Sequence, residues 1–385
     1  MDPKAGARER VKDATRELLA LSHRIHAHPE LGFEEERAAE WVGAALADAG
    51  FAVESGICEL PTAFRARAGS GPLHLAICAE YDCLPGIGHA CGHNIIAASA
   101  VGAAIAMARV ADDLGLTVTV VGTPAEEGGG GKIMLLERGA FAGMHAAMMV
   151  HPAPVDIVEP SILACTQFEV RYTGKEAHAS AFPEYGINAG DALTVAQTAI
   201  GLLRQHIRAG DRVHGIVTKG GDAPNVVPAD TCAKYIVRAR SLGELDEIRG
   251  KVMRCFEAGA LATGSTLAVR EDHSPYAEMH HDQALAAYYR RNAEALGRVF
   301  PEMSAMLVRA AGSTDMGNVS LALPSIHPMI GIASLPAVNH QPEFTAHCVT
   351  EAGDQAVVDG ALAMAWTAID VAADSDLRAR LMQRR

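Results

Sequence analysis

Apolar residues near the start of the chain recur at three- and four-residue steps. Val11, Ala14, Leu18, Leu21 and Ile25 line one face and Pro29 stops the pattern, so a helix is expected from about Val11 to His28. A second helix is predicted over Glu36 to Ala49, with Trp41, Val42, Ala45 and Leu46 on one face and Gly50 as its stop. Short apolar runs then predict strands at Ala63–Ala68 and Leu73–Ala79. They are followed by a helix of small residues (Ile95–Val110), a strand at Thr117–Val121, a helix from about Lys132 and a strand at Ala146–Val150. Strands alternating with helices predict an α/β fold, with a mostly parallel sheet covered by helices on both faces.

From about Ser161 the texture changes. Cys165–Tyr172 alternates like a half-exposed strand. A helix at Ala189–Arg208, strands at Gly215–Lys219 and Ala233–Ala239, a helix at Gly243–Ala262 and a strand at Thr266–Arg270 follow. The order β-α-β-β-α-β predicts an inserted ferredoxin-like α+β domain. The α/β pattern resumes with a helix at Asp282–Leu296 and closes with a long helix at Val349–Ala372. The expected organisation is residues 1–160 and 279–385 as one catalytic domain, interrupted by an insert at 161–278.

The chain has 385 residues, 49% of them hydrophobic, enough for a sizeable core. A formal net charge of −13 argues against a nucleic-acid partner, since phosphate binding needs a concentrated basic surface. The apolar runs read as too short or too broken for a membrane span, and the charged first residues carry no secretory pattern. The eight cysteines form no paired framework, and several sit in apolar runs. They read as buried free thiols in a reducing compartment, hence a cytoplasmic location.

Cys91 is the exception, in the polar turn Gly88-His89-Ala90-Cys91-Gly92-His93-Asn94. Glu80, Asp82, Cys91 and His93 follow one predicted strand, Glu126 and Glu127 a second, and His151 a third. Ligands in open parallel sheets bind beyond the carboxyl ends of strands, so these loops can converge. Sulfur, imidazole and carboxylate together suit zinc or a similar divalent ion. Adjacent carboxylates diverge on an extended backbone, which suits one for metal and one as a base for water. Taken as the charged first turn of a helix, the pair would not explain four consecutive glycines at 128–131. Gly131-Lys132 resembles a phosphate loop but lacks its other required residues.

These motifs resemble the co-catalytic dinuclear metallopeptidase superfamily of aminoacylases, hippurate hydrolases and auxin-conjugate amidohydrolases. Further matching elements are His28-Pro29-Glu30-Leu31-Gly32, Glu80-Tyr81-Asp82, His151-Pro152, Gly174-Lys175-Glu176-Ala177-His178, Asn225-Val226-Val227-Pro228, Gly312-Ser313-Thr314-Asp315 and Asn339-His340-Gln341-Pro342. The Glu-Tyr-Asp and Gly-Ser-Thr-Asp forms look most like the subgroup of β-alanyl-lysine and Xaa-Arg dipeptidases. The resemblance implies two divalent ions per subunit, zinc or manganese, held by Cys91 as the bridge with His93, Glu127, His151 and His340. It implies Glu126 as general base toward a metal-activated water. It also implies His178 as an oxyanion donor delivered to a partner subunit, and Asn225 and Arg240 as holders of the substrate carboxylate. The insert would serve as lid and homodimer contact. The expected reaction is hydrolysis of the amide bond of a dipeptide or an N-acyl amino acid. The alternatives are an acyl-conjugate amidohydrolase and a non-catalytic relative that only binds metal or ligand.

Overall fold

The computed structural model describes residues 2–271, 273–302 and 312–383. The chain divides into two compact units, one from residues 1–161 and 279–385, the other from residues 162–278.

The main sheet of the first unit has six strands: β1 (Ala52–Ser55), β2 (Phe64–Ala68), β3 (Leu73–Ala79), β4 (Leu116–Gly122), β5 (Ala146–Met148) and, late in the chain, a two-residue strand at Ser325–Ile326. Their order across the sheet is β1-β2-β4-β3-β5 and then Ser325–Ile326. β4, β3, β5 and the late strand run parallel, and β1 and β2 add an antiparallel edge. Every residue of β4 is buried, as expected of a strand covered on both faces. The register pairs Ala79 with Gly122 and Ile77 with Met148, so the segments leaving β3, β4 and β5 emerge side by side.

The helix His93–Ala108 has no polar face, because it is packed all round. It contacts β3, β4 and the helices Pro3–Ala27 and Glu351–Ala373. Its small residues permit this closeness. A Cβ at Gly102 would stand 2.7 Å from Ala361 Cβ and 3.0 Å from Leu18 Cδ1. Among the described residues, Glu351–Ala373 is long and apolar enough to cross a membrane, which corrects the expectation that no apolar run reaches that length. Most of it is buried in the core.

Other boundaries also shift. The first helix begins at Pro3, where Asp2 Oδ1 accepts from the Lys4 N–H at 3.1 Å. The expected strand Ala146–Val150 is shorter than predicted. β5 stops at Met148, and β6 (His151–Ala153) pairs in parallel with the strand Met329–Gly331 in a separate two-stranded sheet. His151 is therefore held in a strand rather than a loop.

In the second unit β7 (Ala164–Thr173), β8 (Arg212–Lys219), β9 (Asp230–Ala239) and β10 (Thr266–Glu271) form an antiparallel sheet in the order β10-β7-β9-β8. That is the 4-1-3-2 order of a ferredoxin-like unit. The helices Ala189–Leu203 and Leu242–Thr263 pack on each other and on β7 and β9. Asn188 and Ser241 cap them with side-chain oxygens. The core is anchored by Phe168, Tyr235 and Phe256, whose ring centroids lie 5.0–6.3 Å apart. β8 is an edge strand, and it leaves Ile216 and Val217 exposed.

Candidate metal centre

Three parallel strands deliver the site. β3 runs into Glu80-Tyr81-Asp82, β4 into the turn carrying Glu126 and Glu127, and β5 toward His151. Thr123 N–H donates to Ala79 O at 2.8 Å, which extends the β3–β4 pairing up to the site. The glycine run has two causes. Gly128 and Gly130 adopt φ values of +100° and +67°, open to glycine with little strain. At Gly131 a Cβ would fall 1.8 Å from Pro124 O, and at Gly129 2.5 Å from Ala125 Cβ. Gly92 also has positive φ, +77°, and a Cβ there would meet Pro152 Cγ at 2.5 Å. It allows the helix to start at His93, so His93 belongs to a helical first turn and Cys91 to the turn before it.

Among the described residues, possible ligand atoms gather into three trios, each within 4.8 Å: Cys91, His93 and His151; Cys91, Glu127 and His340; His93, Glu126 and Glu127. Two ligands on one tetrahedral zinc stand roughly 3.5 Å apart, so this spacing admits a divalent ion. Cys91, His93 and Glu127 each belong to two of the trios.

Hydrogen bonds aim the imidazoles. His93 Nδ1 is 3.0 Å from Asp82 Oδ1, which leaves Nε2 directed at the trios. Asp82 Oδ2 accepts from the Glu127 N–H at 2.9 Å, so one carboxylate orients two of these residues. His151 Nδ1 donates to Pro152 O at 2.8 Å. A second partner that fixes the tautomer in this way is the usual support of a metal-binding histidine. His93 Nε2 and Glu127 Oε1 are buried without a hydrogen-bond partner. Buried polar atoms are rarely left so, and a cation between them would satisfy both. His340 is the exposed member, its Nε2 3.8 Å from Glu127 Oε1, with its N–H donating to Ala90 O at 2.9 Å.

The electrostatics point the same way. Burial pushes the Cys91 thiol well above its ordinary range, and Glu127 adds to the effect. Burial and Glu127 do the same to the Glu126 carboxyl. Burial opposes charge on His93, yet Asp82, Glu80 and Glu127 outweigh it and raise its pKa to about 10. His151 is lowered to about 4, chiefly by burial and then by His93. Crowded acids thus recruit protons where a cation would otherwise sit.

A model of the peptidase family M20/M25/M40 matches residues 76–358. The chain belongs to that family. It is 39% identical over 383 residues to an Xaa-Arg dipeptidase of Mus musculus, covering 96% of this chain and 88% of the relative. It is 36% identical to a p-aminobenzoyl-glutamate hydrolase chain of Escherichia coli (strain K12), over 66% of this chain and 57% of the relative. The solved structure of the Bacillus subtilis YXEP protein, a dinuclear metal-binding peptidase of the M20 family, superposes with a TM-score of 0.69 at 22% identity, covering 93% of this chain and 99% of that one. This M20 chain is thus a metal-dependent hydrolase of amide bonds.

The other expected site residues of the M20 chain lie in its second unit. His178 is exposed, and its Nδ1 accepts from the N–H groups of Ser180 and Ala181 at 3.4 and 3.2 Å. That assigns the ring proton to Nε2, which then faces outward as a donor. Asn225 lies beside it, its O accepting from Ala179 N–H at 3.0 Å. Arg240 is paired with Glu244 at 3.1 Å. Sequence reasoning missed the roles of four buried groups: Asp82 behind His93, Glu35, and the pair Lys132 and Asp315. Glu35 Oε1 accepts from the Ala125 N–H at 2.7 Å, just before Glu126.

Proposed function

We propose that this chain hydrolyses dipeptides with a basic C-terminal residue, using two divalent ions, zinc or manganese, bound per subunit. The reading rests above all on one observation, that Cys91 serves both a trio with His93 and His151 and a trio with Glu127 and His340. The 39% identity to an Xaa-Arg dipeptidase supports the substrate class. Hydrolysis of N-acyl amino acids is the second reading, supported by the likeness to the p-aminobenzoyl-glutamate hydrolase chain.

Divalent ions held by these residues would supply Lewis acidity and make water a stronger acid. Glu126 accepts the proton of the attacking water and returns it to the leaving amine. His178 donates from Nε2 to the carbonyl oxygen of the substrate in a partner subunit's site as charge builds on it, a contribution of about 3–4 kcal/mol for one such donor. Asn225 and Arg240 hold the substrate carboxylate, and Arg240 does so by exchanging its bond to Glu244. The unit 162–278 acts as lid and homodimer contact. The exposed edge strand β8, with Ile216 and Val217, and the exposed Phe182 and Tyr185 near His178 suit a second copy. The eight free cysteines suit a reducing, cytoplasmic setting.

The test is turnover of C-terminal Arg and Lys dipeptides and of N-acyl amino acids, after chelation and re-addition of zinc or manganese. Glu126→Gln should keep fold and metal while losing at least about two decades in kcat. Near-normal turnover by that variant would remove Glu126 from its role. Turnover of the N-acyl amino acids alone would favour the second reading.

A further inference from the structure

Lys132 lies six positions beyond Glu126 and is fully buried. Lysine is rarely so unless paired. Its Nζ stands 2.5 Å from Glu80 Oε1 and 2.6 Å from Asp315 Oδ1. Its backbone N–H donates to Asp315 Oδ2 at 2.8 Å. The other oxygen of Glu80 lies 3.5 Å from His93 Nε2, the nitrogen directed at the trios. One ammonium thus joins three segments distant in sequence: the end of β3, the glycine-rich turn and residues 312–315.

Stability does not account for such a cluster. Well-packed apolar side chains commonly stabilise a core as well as a buried ion pair or triad does. This cluster also sets two carboxylates against one ammonium. Glu80 is the carboxylate on the side of His93. Asp82 and Glu80 flank the two nitrogens of that imidazole, and only Asp82 hydrogen-bonds it. Glu80 makes no hydrogen bond to Nε2, and its other oxygen is held by Lys132 at 2.5 Å.

We propose that Lys132 is a positioning residue for amide hydrolysis, fixing the Glu80 carboxylate beside His93 and, through Asp315, the turn that carries Glu126 and Glu127. It touches neither substrate nor the reacting atoms. The inference rests on the functional reading above. Burial opposes the charge on Lys132, but Asp315, Glu80 and Glu126 together hold its pKa well above the ordinary range, consistent with a permanent ammonium.

The experiment compares wild type, Lys132→Met, and the triple variant Lys132→Met, Glu80→Gln, Asp315→Asn. The triple variant leaves no buried carboxylate facing a missing ammonium, so it remains informative if the single variant does not fold. Chelated protein is titrated with zinc chloride by calorimetry, thermal unfolding is followed by circular dichroism, and kcat and KM are measured separately at saturating zinc. The triple variant is expected to fold with Tm near wild type and to bind zinc about 10-fold or more weakly. Its kcat should fall about 30-fold or more, with KM within about 3-fold. A triple variant that does not fold, or one with wild-type zinc affinity and kcat, would overturn the proposal and make the cluster structural. Wild-type protein inert on every substrate would sink the functional reading instead, while zinc affinity would still judge the positioning claim.

Discussion

Glu35 gives a pH dependence whose sign and size follow from its surroundings. It is fully buried, with Oε1 accepting from Ala125 N–H at 2.7 Å and Oε2 from the Thr62 hydroxyl at 3.0 Å. Burial, then the charge of Asp82, raises its pKa from 4.5 to about 7. The folded state therefore binds this proton more tightly than the unfolded chain does. The resulting stabilisation is fully present below about 4.5 and is lost as pH rises through about 7. At 1.36 kcal/mol per decade, the whole window is worth roughly 3 kcal/mol. Glu35→Gln keeps an oxygen for the Ala125 N–H and cannot ionise. Urea unfolding of chelated wild type and variant, compared between pH 4.5 and 8, should show the variant gaining about 3 kcal/mol relative to wild type as pH rises. The subtraction removes the groups common to both proteins. A difference constant to within about 0.5 kcal/mol would refute the reasoning, because burial would then not be penalising the carboxylate. Ala125 sits at φ +56° immediately before Glu126, so the same carboxylate that destabilises at high pH also holds the turn that carries Glu126.

Two further outcomes follow from the metal centre. Asp82→Asn should lower zinc affinity by about 10- to 100-fold in a calorimetric titration, because Asp82 orients both His93 and the Glu127 backbone; unchanged affinity would make those bonds incidental. Gly92→Ala should cost about 1–3 kcal/mol in thermal unfolding through the clash with Pro152, and should also weaken zinc binding, since Gly92 separates Cys91 from His93. A variant as stable as wild type would show that the turn can relax.

The α/β pattern was legible because its strands are long and buried. β3 lies where its apolar run predicts it, and the polar clusters after β3, β4 and β5 could be matched to strand ends before any contact was known. What escaped notice was short or distant. The strands Ser325–Ile326 and Met329–Gly331 have two and three residues, too few to carry a period. Their pairing with β5 and β6 could not be read from the sequence. Glu35 stands in an acidic run, Glu34-Glu35-Glu36, that reads like the first turn of a helix. Lys132 was visible as the start of a helix and as part of a failed phosphate loop. Its partner Asp315 lies 183 positions away, and only the folded chain brings the two together.

The acids of the centre explain one another once their charges are considered together. Glu80, Asp82, Glu126, Glu127 and Asp315 surround a buried thiol and imidazole, with Lys132 as the ammonium among them. Without another cation, the cheapest remedy for the repulsion is to hold protons. Burial first, and then the neighbouring acids, push Cys91 and Glu126 toward their neutral forms, while for His93 the acids outweigh burial and favour the charged form. A divalent ion held by the trios would supply fixed positive charge in place of those protons, and would leave the Cys91 thiolate to bind it and Glu126 to accept a proton. The carboxylates that make the apo site unfavourable are thus the ones that make it select a cation. Glycines at 92 and 128–131 allow the backbone to bring them that close.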